Sequence, residues 1–198
     1  MAKVNLPEVT LVALTGVNYK RKEHQEALYK SQDGIRFGEA KLIELESIKD
    51  VATWNEAVIK ELPKYIYTDF AMLIHHDGYI KDANLWNPTW LTFDFIGAPW
   101  PLPTDDYSYR TPSGKLIRVG NSVSLRSKKL MDLVATRPME YHYGNNNEDG
   151  QICVWQRDWL EEQGCRFAPI DVAKYFSKEH TIPENEHIDK TFAFHSVT

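Results

Sequence analysis

Long apolar runs are missing from this sequence of 198 residues. No stretch approaches the ~20 consecutive apolar residues a membrane-crossing helix requires, and the opening MAKVNLPEVT lacks the apolar centre of a secretory signal, so a cytoplasmic protein without a transmembrane segment is expected. Cysteine is almost absent. The two present, Cys153 and Cys165, flank one predicted helix without CxxC spacing, which excludes a structural zinc site and leaves two thiols in or near the core. Positive charge is scarce too, with 23 Lys and Arg against 28 Asp and Glu and a net charge of -5. Nucleic-acid binding draws on clustered cations that displace counterions from phosphates, so a nucleic-acid partner is excluded. The one basic run, Lys20-Arg21-Lys22, reads either as a solvated loop or as a short contact for an anionic ligand. Repeats, low-complexity tracts and linkers are also lacking, and the length suits one domain over residues 1–198.

What is present is an alternation of apolar strands with amphipathic helices. Val9–Leu14 is a β-rich run ending at Thr15-Gly16, a buried strand that runs into a loop. A helix over 21–30, a strand over Glu39–Leu45 and a helix over Trp54–Leu62, stopped near Pro63, follow. Phe70–Ile74 is a third buried strand that leads directly into His75-His76-Asp77-Gly78, and Phe93–Trp100 is a short strand breaking into a turn. Ser124 is placed as the cap of a helix carrying Leu130, Leu133 and Val134 at helical spacing. A further helix spans Asp149–Gln163, with Ile152, Trp155, Trp159 and Leu160 on one face and Gly164 as its stop, and a last strand covers Arg166–Ile170. This order predicts an α/β fold with a mostly parallel central sheet flanked by helices. The irregular stretch from Thr104 to Gly114 is long enough to be functional or mobile. Aromatic residues make up 12% of the chain, six of them Trp; such rings fill cores and also offer flat apolar faces to pyranoses.

Four separated groups carry chemistry. His75 and Asp77 stand one residue apart at a strand end, where ligands of open α/β sheets collect; imidazole and carboxylate suit a divalent cation bound to a diphosphate, although a plain turn at Asp77-Gly78 would look the same. Val119–Ser127 is a small-residue segment, read as a loop opening a helix, in which Gly120 permits close backbone approach and Asn121 and Ser122 offer short hydrogen-bonding groups to sugar hydroxyls, although a plain strand-to-helix connection would look similar. After the polar turn Gly144–Asn147 come Glu148 and Asp149, which serve either as helix-start acids or as the carboxylate that takes a proton from an attacking hydroxyl. Last is His195, beside Phe192 and Phe194, which reads either as a packed or exposed residue or as a ligand.

The ordered set, an acidic motif after a strand, a glycine segment, Asn-Glu-Asp opening a helix and a late histidine, resembles the core of the GT-A glycosyltransferases, with their DxD motif, glycine loop, xED motif and C-terminal histidine. The runs Tyr65–Ile80, Ile96–Pro101, Val119–Ser127 and Asn147–Gly150 look more closely like a small glycosyltransferase-like family of bacteria and viruses catalogued as a domain of unknown function, over about Val9 to His195. The resemblance implies a Rossmann-like GT-A domain in which Asp77 and His195, with His75 in the first acidic place, hold Mn2+ or Mg2+ and the donor diphosphate. Thr15 would meet the nucleoside, most often uridine, and Gly120, Asn121 and Ser122 would face the donor sugar. Asp149 would be the general base of an inverting transfer and Glu148 would position hydroxyls, although in some relatives the neighbouring carboxylate is the base; Trp100 would be either an acceptor platform or part of the core. The implied partners are a nucleotide-sugar donor, a glycan acceptor and other glycan-synthesis domains. Two other classes fit the same residues: a metal-dependent hydrolase of a nucleotide sugar or phosphoester, and a module that binds nucleotide sugars without turnover.

Overall fold

The computed structural model describes residues 4–141 and 146–195, and of Ser122 the backbone alone. Strand β1 (Val4–Gly16) is buried without interruption from Val9 to Gly16. An unbroken apolar run of this kind belongs to a strand covered on both faces, and β1 indeed lies inside the sheet. It pairs in parallel with β2 (Ile35–Leu45) on one side and with β3 (Phe70–Ile74) on the other. Beyond β3 lies β5 (Val119–Ser127), antiparallel to it and to the edge strand β4 (Phe95–Pro99). The order is therefore β2-β1-β3-β5-β4, with β5 alone reversed. That one reversal places the beginning of β5, rather than its end, beside the carboxyl ends of β1, β3 and β4.

Helices α1 (Arg21–Ser31) and α2 (Val51–Lys60) join the first three strands. Asp50 opens α2 with a capping box: its side chain accepts the Thr53 amide at 2.8 Å while Thr53 Oγ1 accepts the Asp50 amide at 3.0 Å, satisfying two donors that a helix start leaves open. Helix α3 (Lys128–Thr136) starts on Ser127, whose Oγ accepts the Leu130 amide at 3.0 Å. The expectation for Ser124 is thereby corrected. Ser124 is a buried residue of β5, and the glycine segment is a strand, because its residues pair with β3 and β4 before the chain turns into α3.

Two further expectations change. The single helix predicted over Asp149–Gln163 is three pieces: α4 (Glu148–Gly150), a π-helical turn over Gln151–Trp155, and α5 (Arg157–Glu162). The widened turn is closed by the Gln156 amide donating to the Gln151 carbonyl at 3.0 Å, and it lets the Trp155 ring lie across Gly150. No strand forms over Arg166–Ile170. Only Phe167 bridges to Phe95, and Pro169, which cannot donate to a ladder, instead precedes helix α6 (Ile170–Phe176).

A short parallel pair, β6 (Ser177–Lys178) with β7 (Ala193–Phe194), ends the described chain. It is seated by Phe192, whose ring lies 5.2 Å from Trp90 and 5.8 Å from Phe176, all three fully buried. Cys153 and Cys165 are free and buried, as expected. No described helix is long and apolar enough to cross a membrane.

Candidate functional site

The polar groups converge where β1 and β3 end and β5 begins. His75 to Gly78 form a closed turn, with the His75 amide donating to the Gly78 carbonyl at 2.7 Å. A β-carbon on Gly78 would sit 2.7 Å from both His195 Cδ2 and Val123 Cγ2, so glycine is what allows the late histidine to pack down here. His195 Nε2 lies 3.6 Å from Asp77 Oδ1, and its Nδ1 lies 3.0 Å from Glu179 Oε1. Burial opposes charge on His195, but Glu179 and Asp77 outweigh it and raise its pKa. Burial likewise opposes charge on Glu179, whose pKa is nevertheless lowered by hydrogen bonds from His195 and Asn121.

His75 lies deeper. Its Nε2 is buried without a hydrogen-bond partner among the described residues, its ring stands 5.0 Å from Trp54 and 5.1 Å from His195, and burial, then the neighbouring His195, pushes its pKa well down. His76 faces the other way, with Nε2 2.6 Å from Lys20 Nζ and Nδ1 3.5 Å from Asp77 Oδ1. Thr15, at the end of β1, is buried, and its hydroxyl donates to the Tyr19 carbonyl at 3.2 Å.

Across the edge, Asn121 adopts a left-handed φ of 81°, its Oδ1 accepts the Val123 amide at 2.6 Å and its Nδ2 lies 3.5 Å from His195 Nδ1. The Ser122 side chain falls outside the described residues, as do Gly144 and Asn145 of the polar turn. Gly120 is pressed against the Trp100 ring, into which any β-carbon would be driven. Trp100 in turn stacks on Tyr109, with ring centroids 4.8 Å apart and planes 25° from parallel. Trp100 is thus a buried wall, 7% exposed, and Tyr109, held at a left-handed φ of 56°, forms the outer layer of the stack.

The two adjacent carboxylates occupy different environments. Glu148 is fully buried, its Oε2 2.7 Å from Nη1 of the equally buried Arg126, and its amide donates to Asn55 Oδ1 at 3.2 Å. Arg126 is fixed by Ser124, whose hydroxyl receives its Nε at 2.7 Å. Asp149 is half-buried and accepts the Gly150 amide at 2.8 Å. Burial first, and the charge of Glu148 second, push its pKa up to about 7. After burial, the charges of Asp149 and Glu179 raise the pKa of the Tyr109 phenol.

The structure therefore brings Asp77, His195, Asn121 and Gly120 to one edge with His75 beneath them; it places Lys20 of the basic run beside them and adds Glu179, Tyr109 and Arg126, which the sequence reading missed. Among the described residues no three His, Cys, Asp or Glu side chains converge as a metal cage. Asp77 Oδ1 and His195 Nε2 stand 3.6 Å apart instead, and this carboxylate–imidazole pair, near the buried His75 Nε2, would fit a hard or borderline divalent cation that takes its other ligands from phosphate and water. A cavity of about 670 Å³, lined by Tyr29, Lys30, Tyr79 and Lys81 among others, lies elsewhere on the α1 face. It lacks the convergent carboxylates and imidazoles of the edge.

A mixed sheet flanked by helices, with polar side chains gathered where its parallel strands end, defines an α/β domain. Among solved structures the chain is similar to a glycosyltransferase involved in the glycosylation of the major capsid of PBCV-1, with a TM-score of 0.54, 11% identity and coverage of 93% of this chain and 91% of that one. At that identity the likeness shows the fold. No match was found among the curated proteins. The chain belongs to the family described as Protein of unknown function (DUF5672), whose model matches residues 41–195.

Proposed function

We propose that this domain is a GT-A-type glycosyltransferase that moves a sugar, with inversion, from a nucleotide diphosphate, UDP first among candidates, to a hydroxyl of a glycan or related acceptor. One observation carries the reading: Asp77 Oδ1 and His195 Nε2 stand 3.6 Å apart at the edge where β5 begins, with Asn121 Nδ2 3.5 Å from His195 Nδ1. The glycosyltransferase fold of the PBCV-1 neighbour supports it.

In this reading Asp77 and His195 hold Mn2+ or Mg2+, and the cation when bound offsets the charge that grows on the departing diphosphate. Glu179 orients His195 through Nδ1, leaving Nε2 to face Asp77 and the ligand. Thr15 and the loop after β1 lie where the nucleoside enters, while Asn121 and the Tyr109 ring face the sugar. Asp149 accepts the proton of the incoming hydroxyl, a role suited to a carboxyl poised near neutrality. Glu148 has no exposed surface and is held by Arg126, so it anchors the start of α4 and sets the electrostatics of Asp149 without contacting the acceptor.

Isothermal titration with UDP, GDP and ADP, each with and without Mn2+, tests the donor site. Preference for one nucleoside, strengthened by metal and retained in Asp149→Asn while transfer is lost, is the expected result. Equal binding of all nucleosides accompanied by phosphoester cleavage would instead make the protein a hydrolase. Tight binding without release of nucleotide from any sugar donor would make it a binding module.

A further inference from the structure

Lys20 breaks three local rules at once. It occupies the N-cap of α1 with no side-chain cap bond, a position where Ser, Thr, Asp or Asn supplies an acceptor. It brings positive charge to the positive end of the helix dipole. Its backbone is left-handed, with φ of 44°, two residues after Asn18 at 61°, a conformation uncommon outside glycine. Strain and mismatch gathered at one residue are retained where function requires them.

What the conformation achieves is visible in its contacts. The Lys20 carbonyl accepts both the His24 amide at 3.0 Å and His24 Nδ1 at 2.9 Å, which pins the residue from below. Its Nζ is delivered to His76 Nε2 at 2.6 Å, across 56 residues of sequence. The ammonium thus stands over the turn that carries Asp77, whose Oδ1 is 3.5 Å from His76 Nδ1 and 3.6 Å from His195 Nε2. Arg21, next in the basic run, turns away to pair with Glu44 at 3.2 Å. Of the two, Lys20 alone adds charge to the edge, where one carboxylate is already shared between two imidazoles.

We propose that Lys20 contacts the diphosphate of the donor, its ammonium meeting phosphate oxygens on the side opposite His195. The proposal deepens the transferase reading and rests on it for the position of the ligand. An ammonium on a flexible stem is a natural point-charge partner for phosphate, and the His76 ring serves as its rest when no phosphate is present.

The test uses Lys20→Gly, which suits the left-handed backbone, and Lys20→Arg, which keeps the charge. Titrations with inorganic pyrophosphate, UDP and uridine are compared with thermal melting. The Gly variant is expected to melt at or above the wild-type temperature, to lose about tenfold in affinity for pyrophosphate and UDP, and to keep its affinity for uridine; Arg restores most of the loss. Unchanged pyrophosphate affinity in Lys20→Gly, no pyrophosphate binding by the wild type, or a loss shared equally by uridine would overturn the assignment. If the wild type binds pyrophosphate through Lys20 but shows no nucleoside preference, the nucleotide-sugar reading fails and Lys20 stands. If UDP binds equally to both proteins, Lys20 alone falls.

Discussion

Asp149 shows how much one side chain's surroundings decide. Its unperturbed value of 3.8 would leave it ionised and a weak base, whereas burial and Glu148 lift it to about 7. An acid whose pKa is raised on folding gives up stability as pH climbs from its unfolded value through its folded one. The wild type should therefore weaken from about pH 4 to about pH 7 through this group, then level off. Asp149→Asn removes the term, and chemical denaturation should find it about 2 kcal/mol more stable than wild type at pH 7.5, after discounting for solvent at a partly open carboxyl, with the gain fading toward pH 4. A constant difference at all pH values would show that the carboxyl is not perturbed. Transfer, on the same grounds, should rise with pH through about 7. The neighbouring Glu148 differs because Arg126 meets it: Arg126→Met leaves an unpaired buried carboxylate and is expected to cost about 3–5 kcal/mol in the same denaturation assay.

At the scale of elements, β5 does most to build the site. Running against its neighbours, it presents its first residues to the edge where β1, β3 and β4 finish, so Asn121 meets His195 and Val123 meets Gly78 of the histidine turn. Its glycine answers a close approach rather than a turn, since the Trp100 ring rests on it. Gly120→Ala should overpack this contact, cost about 1–3 kcal/mol and lower the melting temperature by several degrees. Gly114→Ala is the control: that residue has open space around its Cα but a φ of 86°, so its smaller cost, about 1 kcal/mol, comes from backbone strain alone. If the two substitutions behave alike, the Trp100 stack is looser than described. The π-helical turn after α4 has a comparable local cause, and helical periodicity across 149–163 could not reveal it because the apolar spacing survives a single inserted residue.

For the molecule as a whole, the last described segment closes the site onto the core. Phe192 is fully buried, its carbonyl accepts the Lys81 amide at 2.8 Å, and its amide donates to the Tyr175 carbonyl at 3.1 Å. Three residues later His195 reaches Asp77 and Glu179. Folding and ligand binding should therefore separate by position. His195→Ala is expected to keep the fold while losing metal-dependent nucleotide affinity. Ending the chain after Lys190 should abolish cooperative unfolding in calorimetry, because Phe192 alone is a loss of about 3–5 kcal/mol. Cooperative melting of the shortened chain would contradict this account of how the site is closed.

The strands and helices from Val9 to Ile74 were readable along the chain because apolar periodicity reports burial locally, and Asp77, Asp149 and His195 stood out because their motifs follow one another in a recognisable order. The reversal of β5, the helix that begins at Ile170 where a strand was expected to end, the partners Glu179, Tyr109 and Arg126, and the contact of Lys20 with His76 were not readable. Each depends on contacts between residues far apart in sequence: 56 positions separate Lys20 from His76 and 16 separate Glu179 from His195. Local pattern sets which face of an element is buried, whereas charge placement, strain and proton affinity at a site arise only once packing has chosen the neighbours.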